Sequence, residues 1–312
     1  MPSGSVTLLE AAKYGDDQLK RGVIETLIQE SPILEQLPQT AISGNALKVQ
    51  VENSLPSPAF RDVNEAYTRS FGTDTERYFG TAILGGEVFV DNYLVRVRGN
   101  VVSAKARQYA KFAKAMSRTY DKYFFDGTGT AKDFKGINSL ITEGLGQTIA
   151  EATNGGPLTL AKMDEAHDLL RSQSSADVIL MNRFIRRKLT TLGRNTSGYF
   201  SLLDVGDDRF GRQILQWNGI PVRIIGDDSS GSAILAFDET QGSSSVTSSI
   251  YYIAFGEDEN VTGLLGLGGS FDVIDFGETE AAPGHMGRVE VYPGLAIYNP
   301  LSIVRHTGLT EA

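Results

Sequence analysis

Hydrophobic residues recur every three or four positions along residues 101–125, a run that contains neither Gly nor Pro. At about 100° per residue, this spacing places them on one side of a helix. The apolar positions are Val102, Ala106, Tyr109, Ala113, Met116, Tyr120 and Tyr123. At about 1.5 Å per residue the helix would be roughly 37 Å long, whereas an ordinary helix has about a dozen residues. The pattern therefore predicts one unusually long amphipathic helix.

In the segment before this helix, residues 45–100, apolar and polar residues alternate with a period of two. Leu47, Val49 and Val51 alternate with polar residues, and residues 87–98 alternate in the same way. We expect these two stretches to be the strands of a long ribbon with a polar tip between them. Since an isolated hairpin is only marginally stable in water, the ribbon should lie on another surface.

The N-terminal pattern predicts short helices joined by flexible joints over residues 7–38. Gly15 and Gly22 weaken any single long helix there. The apolar face of this segment consists of Leu19, Val23, Ile24, Leu27 and Ile28. We expect an arm that lies on another surface.

Residues 157–270 have the pattern of a compact α/β unit. Thr159 is a candidate helix N-cap, residues 177–181 form a buried strand, and residues 183–192 form a second helix. Asn218-Gly219 predicts a tight hairpin. Further strands are expected at residues 233–237 and 250–255.

The strands expected within residues 271–304 have no helix of their own. The long helix is therefore expected to cover them. Between the long helix and the α/β unit, glycine-rich turns lead to a short strand predicted near Leu140.

The charge distribution is strongly uneven in this chain of 312 residues with a net charge of −9. Residues 226–283 contain eleven acidic residues and neither Lys nor Arg. The long helix instead carries a basic stripe opposite its apolar side: Arg107, Lys111, Lys114, Arg118 and Lys122. Such a stripe attracts polyanions or an acidic neighbour, and the alternative is a solvated helix face.

No catalytic motif, metal site or cofactor site is predicted. The sequence lacks a phosphate loop, a dinucleotide fingerprint and a nucleophile elbow. The three histidines are far apart, and the chain has no cysteine. The glycines within residues 263–269 favour a flexible loop, and residues 227–231 favour a polar turn over a calcium loop. No apolar run approaches the roughly 18 residues of a membrane span.

The succession of these features carries a family resemblance. An arm ends near Gly44, an extended loop follows, and the long helix begins at Val101. The short sequence motifs that contribute to the resemblance are Phe125-Asp126-Gly127-Thr128-Gly129, Phe134-Lys135-Gly136-Ile137 and Arg288-Val289-Glu290-Val291-Tyr292-Pro293-Gly294. In this order the chain resembles the major capsid protein of tailed bacteriophages, which has the Hong Kong 97 type capsid fold.

The resemblance implies an α+β fold with a defined division of the chain. Residues 1–44 would be the N-terminal arm and residues 45–100 the extended β-hairpin loop. Residues 101–156 and 271–312 would form the peripheral domain, with residues 101–125 as its spine helix. Residues 157–270 would form an axial α/β domain that meets its copies around five-fold and six-fold axes.

The implied function is self-assembly, as hexamers and pentamers, into the icosahedral head that encloses double-stranded DNA. Assembly would take place in the cytoplasm of the bacterial host, and the protein would reside in the virion without acting as an enzyme. Expected partners are a portal protein, packaged DNA through non-specific contacts and, since the arm starts close to Met1, a separate scaffolding protein. A decoration protein is an optional partner, and no membrane is involved.

Two alternatives come from other classes. An encapsulin-like bacterial nanocompartment would share the fold but enclose enzyme cargo. A glycan-active hydrolase with paired carboxylates, such as Asp207 and Asp208, is a distant third.

The resemblance also suggests which residues touch other subunits. In the arm these are Leu19, Val23, Leu27 and Ile28, and in the extended loop Phe60, Arg61, Arg69, Phe71, Arg77 and Tyr78. The basic stripe would face DNA or scaffold in the shell interior, or pair with carboxylates of a neighbouring subunit. Lys48 is the only lysine in the extended loop and lies at its base, so no covalent cross-linking of the shell is expected.

Overall fold

The computed structural model describes residues 22–23, 26–27, 30–93, 101–170, 176–195, 203–207, 213–266, 272–279 and 282–311. The helices are α1 (Val101–Asp126), α2 (Ile137–Thr142), α3 (Leu160–Leu169) and α4 (Arg183–Asn195), with a 3-10 helix at Pro300–Ser302. The strands of the first half are β1 (Gln39–Ala41), β2 (Ala46–Ser54), β3 (Thr73–Gly80), β4 (Leu84–Asp91), β5 (Gln147–Ala150) and β6 (Val178–Met181). Those of the second half are β7 (Leu203–Asp207), β8 (Gln213–Trp217), β9 (Ile220–Ile224), β10 (Glu239–Gln241), β11 (Ser244–Ile253), β12 (Val261–Leu265), β13 (Asp272–Glu278), β14 (Gly284–Val291), β15 (Pro293–Ile297) and β16 (Ile303–Thr310). Among these residues, no helix is long and apolar enough to cross a membrane.

An eight-stranded sheet has the order β5-β16-β11-β6-β9-β8-β7, with β10 paired to β11. Adjacent residues of β11 face opposite sides of it. Tyr251 packs with the end of helix α1, whereas Tyr252 belongs to a second hydrophobic cluster that contains residues of α3 and α4. Helix α1 and helices α3 and α4 therefore cover opposite faces of this central sheet.

Helix α1, the spine helix, also covers the three-stranded sheet β13-β14-β4, as expected for strands without a helix of their own. The spine helix and this sheet approach each other so closely that two sheet positions require glycine. A Cβ at Gly287 would lie 1.6 Å from the Tyr109 hydroxyl, and one at Gly86 would lie 2.8 Å from the Phe112 ring. Two layers that approach this closely leave no room for larger residues at these positions.

The predicted pairing of the ribbon was wrong. Strand β2 pairs antiparallel with β3, not with residues 87–98. Strand β4 pairs with β14 and belongs to the sheet under the spine helix, and residues 94–100 lie outside the described residues. Strand β3 is polar and largely exposed, so its sequence lacks the apolar alternation that marks a half-buried strand.

Three further expectations about local structure were wrong. The segment around Leu140 is helix α2, and the short strand comes later, at β5. Residues 233–237 form turns with one isolated bridge from Ala233 to Asp227. Thr159 occupies the N-cap position of α3, but its hydroxyl donates to Glu151 Oε1 at 2.6 Å instead of capping the helix.

The glycine-rich segment from Gly263 onward starts as a strand, contrary to the expected loop. Strand β12 is fully buried between β1 and β15. A Cβ at Gly263 would lie 2.5 Å from the Gln39 side chain, so glycine allows the close approach of strand β1. Residues 267–270 lie outside the described residues.

The hairpin at Asn218-Gly219 is confirmed. Strands β8 and β9 pair antiparallel across it, and both turn residues have positive φ angles, 49° and 78°. These angles fit the type I′ turn that an Asn-Gly pair favours. The predicted buried strand at 178–181 and the helix beginning at Arg183 are also present, the helix extending to Asn195.

The spine helix buries a slightly different side from the one predicted. Tyr109, Ala113, Met116 and Tyr120 are buried as expected, but Ala106 is exposed and Tyr123 is 38% exposed. The residues buried instead in its last turns are Ser117, Asp121, Phe124 and Phe125. The reason is that the end of the helix also packs on the central sheet, where the Phe125 ring lies 4.9 Å from the Tyr251 ring.

The end of the N-terminal arm packs on the spine helix of its own chain. The Ser117 hydroxyl donates to the Leu27 carbonyl at 3.0 Å, and the Ser31 hydroxyl donates to the Asp121 carboxyl. Val23 and Leu27 are each 3% exposed. The expectation that these two side chains contact a neighbouring subunit has to be revised, because their own chain buries them. Leu19 and Ile28 lie outside the described residues.

A buried ion pair connects the arm to the central sheet. Arg223 Nη2 on strand β9 lies 3.1 Å from Glu35 Oε1, and both side chains are nearly inaccessible to solvent. Removing one partner of such a pair leaves an uncompensated buried charge. The arm from Ser31 to Leu37 is therefore part of the monomer core.

We expect Asp121→Asn to flatten the pH dependence of stability. Burial raises the pKa of the Asp121 carboxyl from 3.8 to about 8, against a smaller lowering by the Ser31 hydrogen bond. Between these values the folded chain keeps a proton that the unfolded chain releases, so stability falls as the pH rises. Above about pH 8 the loss is complete.

Thermal unfolding of unassembled subunits from pH 5 to pH 9 would measure this effect. The difference in Tm between the Asn variant and the wild type should increase in favour of the variant as the pH rises. Asp74→Asn, at an exposed position of the ribbon, is the control. Equal pH dependence in the wild type and Asp121→Asn would contradict the assignment.

Candidate assembly surfaces

The basic stripe of the spine helix divides into paired and unpaired cations. Lys114 Nζ lies 2.9 Å from Glu30 of the arm, and Lys122 Nζ lies 3.0 Å from Asp228. The remaining residues of the stripe are Arg107, Lys111 and Arg118. These three have no ion pair with any described residue, and Arg107 and Lys111 are exposed. Part of the stripe is thus neutralised within the chain.

The Asp228 carboxylate organises the polar turn that resembled a calcium loop. Its Oδ1 accepts hydrogen bonds from the Ser230 amide at 2.8 Å and from the Ser232 amide at 2.9 Å. Hydrogen bonds from the Ser230 hydroxyl and Lys122 lower the pKa of this carboxyl well below its usual range. Within the described residues no group of His, Asp and Glu side chains could hold a metal ion.

The tip of the extended loop exposes large apolar side chains. Phe60 is fully exposed and Phe71 is 83% exposed. The Arg61 guanidinium lies 5.0 Å from the centre of the Tyr67 ring, and Arg69 is exposed. Large exposed apolar side chains of this kind are typical of interaction surfaces.

The base of the ribbon contacts its own chain through one face. Val49 and Phe79 are buried in the main core, whereas Tyr78 on the opposite face is 62% exposed. Arg77 lies on the inner face, and its Nη2 donates to the Glu143 carbonyl at 3.5 Å. The expectation of an inter-subunit contact therefore has to be revised for Arg77, while Tyr78 stays available.

Sequence reasoning did not find the groups that fix the arm to its own chain. The sequence patterns described above assign no role to Ser31 or Asp121. A carboxylate at a helix position that faces the apolar side could have indicated a buried polar contact. Glu35, which follows Ile33 and Leu34, offered a similar signal.

Comparison with known families gives one match. A family model described as Major capsid protein GP7 matches residues 15–156, which include most of the arm, the extended loop, the spine helix and the exit that follows it. No curated protein sequence matches the chain.

Solved structures share the fold over most of the chain. A structure of Microbacterium phage Oxtober96 has 18% sequence identity and a TM-score of 0.60, covering 90% of each chain. The holo-SrpI encapsulin complex from Synechococcus elongatus PCC 7942 has 15% identity and a TM-score of 0.63, covering 90% of this chain and 89% of the other. The structure described as Phage G gp27 major capsid proteins and gp26 decoration proteins has 10% identity and a TM-score of 0.52, covering 90% and 89%.

These structures show the fold of the chain, and the family model adds a similarity to major capsid proteins over residues 15–156. The encapsulin shares the same fold. The arm, the exposed loop tip and the covered spine helix agree with both findings. The chain therefore has the Hong Kong 97 type capsid fold, and its residues 15–156 are similar to the family of major capsid proteins.

Proposed function

We propose that copies of this chain assemble as hexamers and pentamers into the icosahedral head of a tailed bacteriophage and enclose its double-stranded DNA. Assembly takes place in the cytoplasm of the bacterial host. The observation that carries this proposal is the loop tip, whose aromatic side chains Phe60 and Phe71 are exposed in the isolated chain. Another subunit that covers them removes this apolar surface from water.

Within this proposal the chain divides into functional parts. Residues 1–44 are the arm, residues 45–100 the extended loop, residues 101–156 with 271–312 the peripheral domain, and residues 157–270 the axial domain. Phe60, Arg61, Arg69, Phe71 and Tyr78 of the extended loop contact a neighbouring subunit. Because each subunit is fixed at several sites at once, interfaces that are individually modest are strong together.

The proposed partners follow from the same arrangement. Portal and separate scaffolding proteins complete the assembly, and the unpaired cations of the spine helix meet DNA phosphates, scaffold carboxylates or acidic groups of a neighbouring subunit. A decoration protein is an optional partner, supported by the description of the Phage G structure.

A nanocompartment shell is the second candidate, favoured by the TM-score of 0.63 with the encapsulin complex. Electron microscopy of the chain, expressed together with its neighbouring genes, separates the candidates. We expect icosahedral particles that contain DNA, whereas particles filled with an enzyme would favour the nanocompartment. Soluble monomers alone would contradict both. Boiled particles should release monomers near 33.8 kDa in denaturing gels, since no covalent cross-link is expected.

The loop tip can be tested without disturbing the monomer. Phe60→Ala with Phe71→Ala should leave the Tm of unassembled subunits unchanged, because both side chains are exposed. The yield of particles should fall by about tenfold or more, since buried aromatic anchors carry much of an interface.

Phe79→Ala is the matched contrast, because Phe79 is 3% exposed at the base of the same ribbon. It should destabilise the subunit itself by about 3–5 kcal/mol. Sedimentation and thermal unfolding measure the two effects. A normal particle yield from the double tip variant would refute an inter-subunit role for the tip.

The unpaired cations can be tested by neutralisation. Arg107→Gln, Lys111→Gln and Arg118→Gln together should leave the subunit folded, since none of the three has an ion pair within the described chain. Assembly or genome retention should decrease, because phosphate or carboxylate partners lose their counter-charge. Particle yield and nucleic-acid content are the readouts, with Lys132→Gln at an exposed turn as the control. Wild-type values for both readouts would remove the proposed role.

A further inference from the structure

Helix α4 combines a buried apolar side with an unusually basic outer side. Ile185 and Leu189 are buried in the second hydrophobic cluster, against the central sheet. The helix contains no acidic residue, although the chain has a net charge of −9. Its cations are Arg183, Arg186, Arg187, Lys188 and Arg194. Packing on the sheet requires only the apolar residues, so the excess of positive charge needs another explanation.

Three of these cations form an arginine row along the exposed side of α4. At about 100° per residue, Arg183, Arg187 and Arg194 lie within about 40° of one another, opposite the buried side. At about 1.5 Å per residue the row is roughly 16 Å long. Arg183 Nη2 lies 3.2 Å from Asp227. Arg187 and Arg194 are exposed and have no ion pair with any described residue.

A shallow apolar groove borders the arginine row. It lies between α4 and the end of strand β16, and Phe237 and Leu309 contribute to its lining. Phe184 also lines it, and the ring of this residue is 39% exposed. Arg187 and Lys188 line the same groove, and the Arg187 guanidinium lies 5.1 Å from the centre of the Phe184 ring. Apolar surface and cations are therefore adjacent here.

This combination is typical of a surface that binds protein. Arginine and aromatic residues are enriched in protein interfaces and carry much of their binding energy. The phosphates of a nucleic acid would use the cations alone. Glu311 lines the groove, and Asp164 and Asp168 belong to α3, which packs into the same hydrophobic cluster as α4. These carboxylates repel phosphates, so the surface favours a protein partner over a nucleic acid.

The partner of α4 differs from that of the spine helix. The central sheet lies between the basic stripe of the spine helix and α4, so a molecule that contacts the stripe does not reach α4. With the stripe toward the shell interior, where DNA and scaffold lie, α4 is toward the outside. A partner of α4 then approaches the assembled shell from without.

We propose that the arginine row and its groove dock an acidic segment of a decoration protein on the outside of the shell. One apolar side chain of this segment packs against Phe184, and its carboxylates pair with Arg187 and Arg194. The inference rests on the proposed function, since it assigns a site to the optional decoration partner. The Phage G structure, whose description names both major capsid and decoration proteins, has the same fold.

The two parts of this surface contribute differently to binding. Exposed charge pairs contribute little individually, are screened by salt, and act mainly on orientation and association rate. The apolar contact with Phe184 does not depend on salt in this way, because it comes from the removal of apolar surface from water. Binding should therefore weaken at high salt and also require the apolar side chain.

A designed acidic peptide is the probe for this surface. It has about three helical turns to match the row, glutamates four residues apart, and one leucine on the same side. A fluorescent protein fused to it keeps it outside closed particles. We expect the probe to co-sediment with wild-type particles and to bind unassembled subunits as well.

Neutralisation of the unpaired arginines tests the docking site. Arg187→Gln with Arg194→Gln should lower the affinity for the probe by about tenfold or more, because its carboxylates lose their partners. Particle yield, nucleic-acid content and the Tm of subunits should stay at wild-type values. Replacing the leucine of the probe by alanine should weaken binding to wild-type particles several-fold. Lys132→Gln, at an exposed turn outside α4, is the control and should bind the probe normally.

Several results would overturn the inference. Equal affinity of the double variant and the wild type would do so, as would a probe that binds equally well without its leucine. A lower particle yield from the double variant would show that α4 contacts a second copy, and a loss of nucleic acid from normal particles would show that it faces DNA. Failure of the wild-type chain to form particles would instead refute the proposed function, while binding of the probe to subunits still reports on α4.

Discussion

The burial of the spine helix is the constraint on which the other layers depend. Its aromatic and small side chains cover the sheet β13-β14-β4, its last turn reaches the central sheet, and its polar side chains receive the arm. Each of these layers would otherwise expose an apolar face. Because one rigid element closes three surfaces, the sheet β13-β14-β4, the arm and the central sheet are fixed relative to the same helix.

The sequence predicted those elements whose signals are local. The length of the spine helix follows from residues without Gly or Pro, and the hairpin at Asn218-Gly219 follows from turn chemistry. The partner of strand β2 could not be predicted, since β3 is polar and largely exposed and lacks the apolar alternation of a half-buried strand. The burial of Val23 and Leu27 could not be predicted either. The hydrogen bond that fixes this part of the arm joins Ser31 and Asp121, which are 90 residues apart in the sequence.

The monomer and the shell use apolar surface in different places. Phe79 at the ribbon base is buried in the chain, whereas Phe60 and Phe71 at the tip contact little of it. A subunit of this kind can fold before it assembles, because its core is complete without the tip. In the proposed shell, a neighbouring subunit would cover the exposed aromatic rings of the tip, so assembly would draw on residues that folding leaves unused.

The central sheet separates the two basic surfaces of the chain. Tyr251 faces the spine helix and Tyr252 faces α3 and α4, so the cations of the spine helix and those of α4 lie on different sides. A single flat partner surface therefore cannot contact the cations of the spine helix and those of α4 at the same time. The cations of the spine helix are partly neutralised by Glu30 and Asp228 of their own chain, whereas Arg186 and Arg187 are not paired within the described residues.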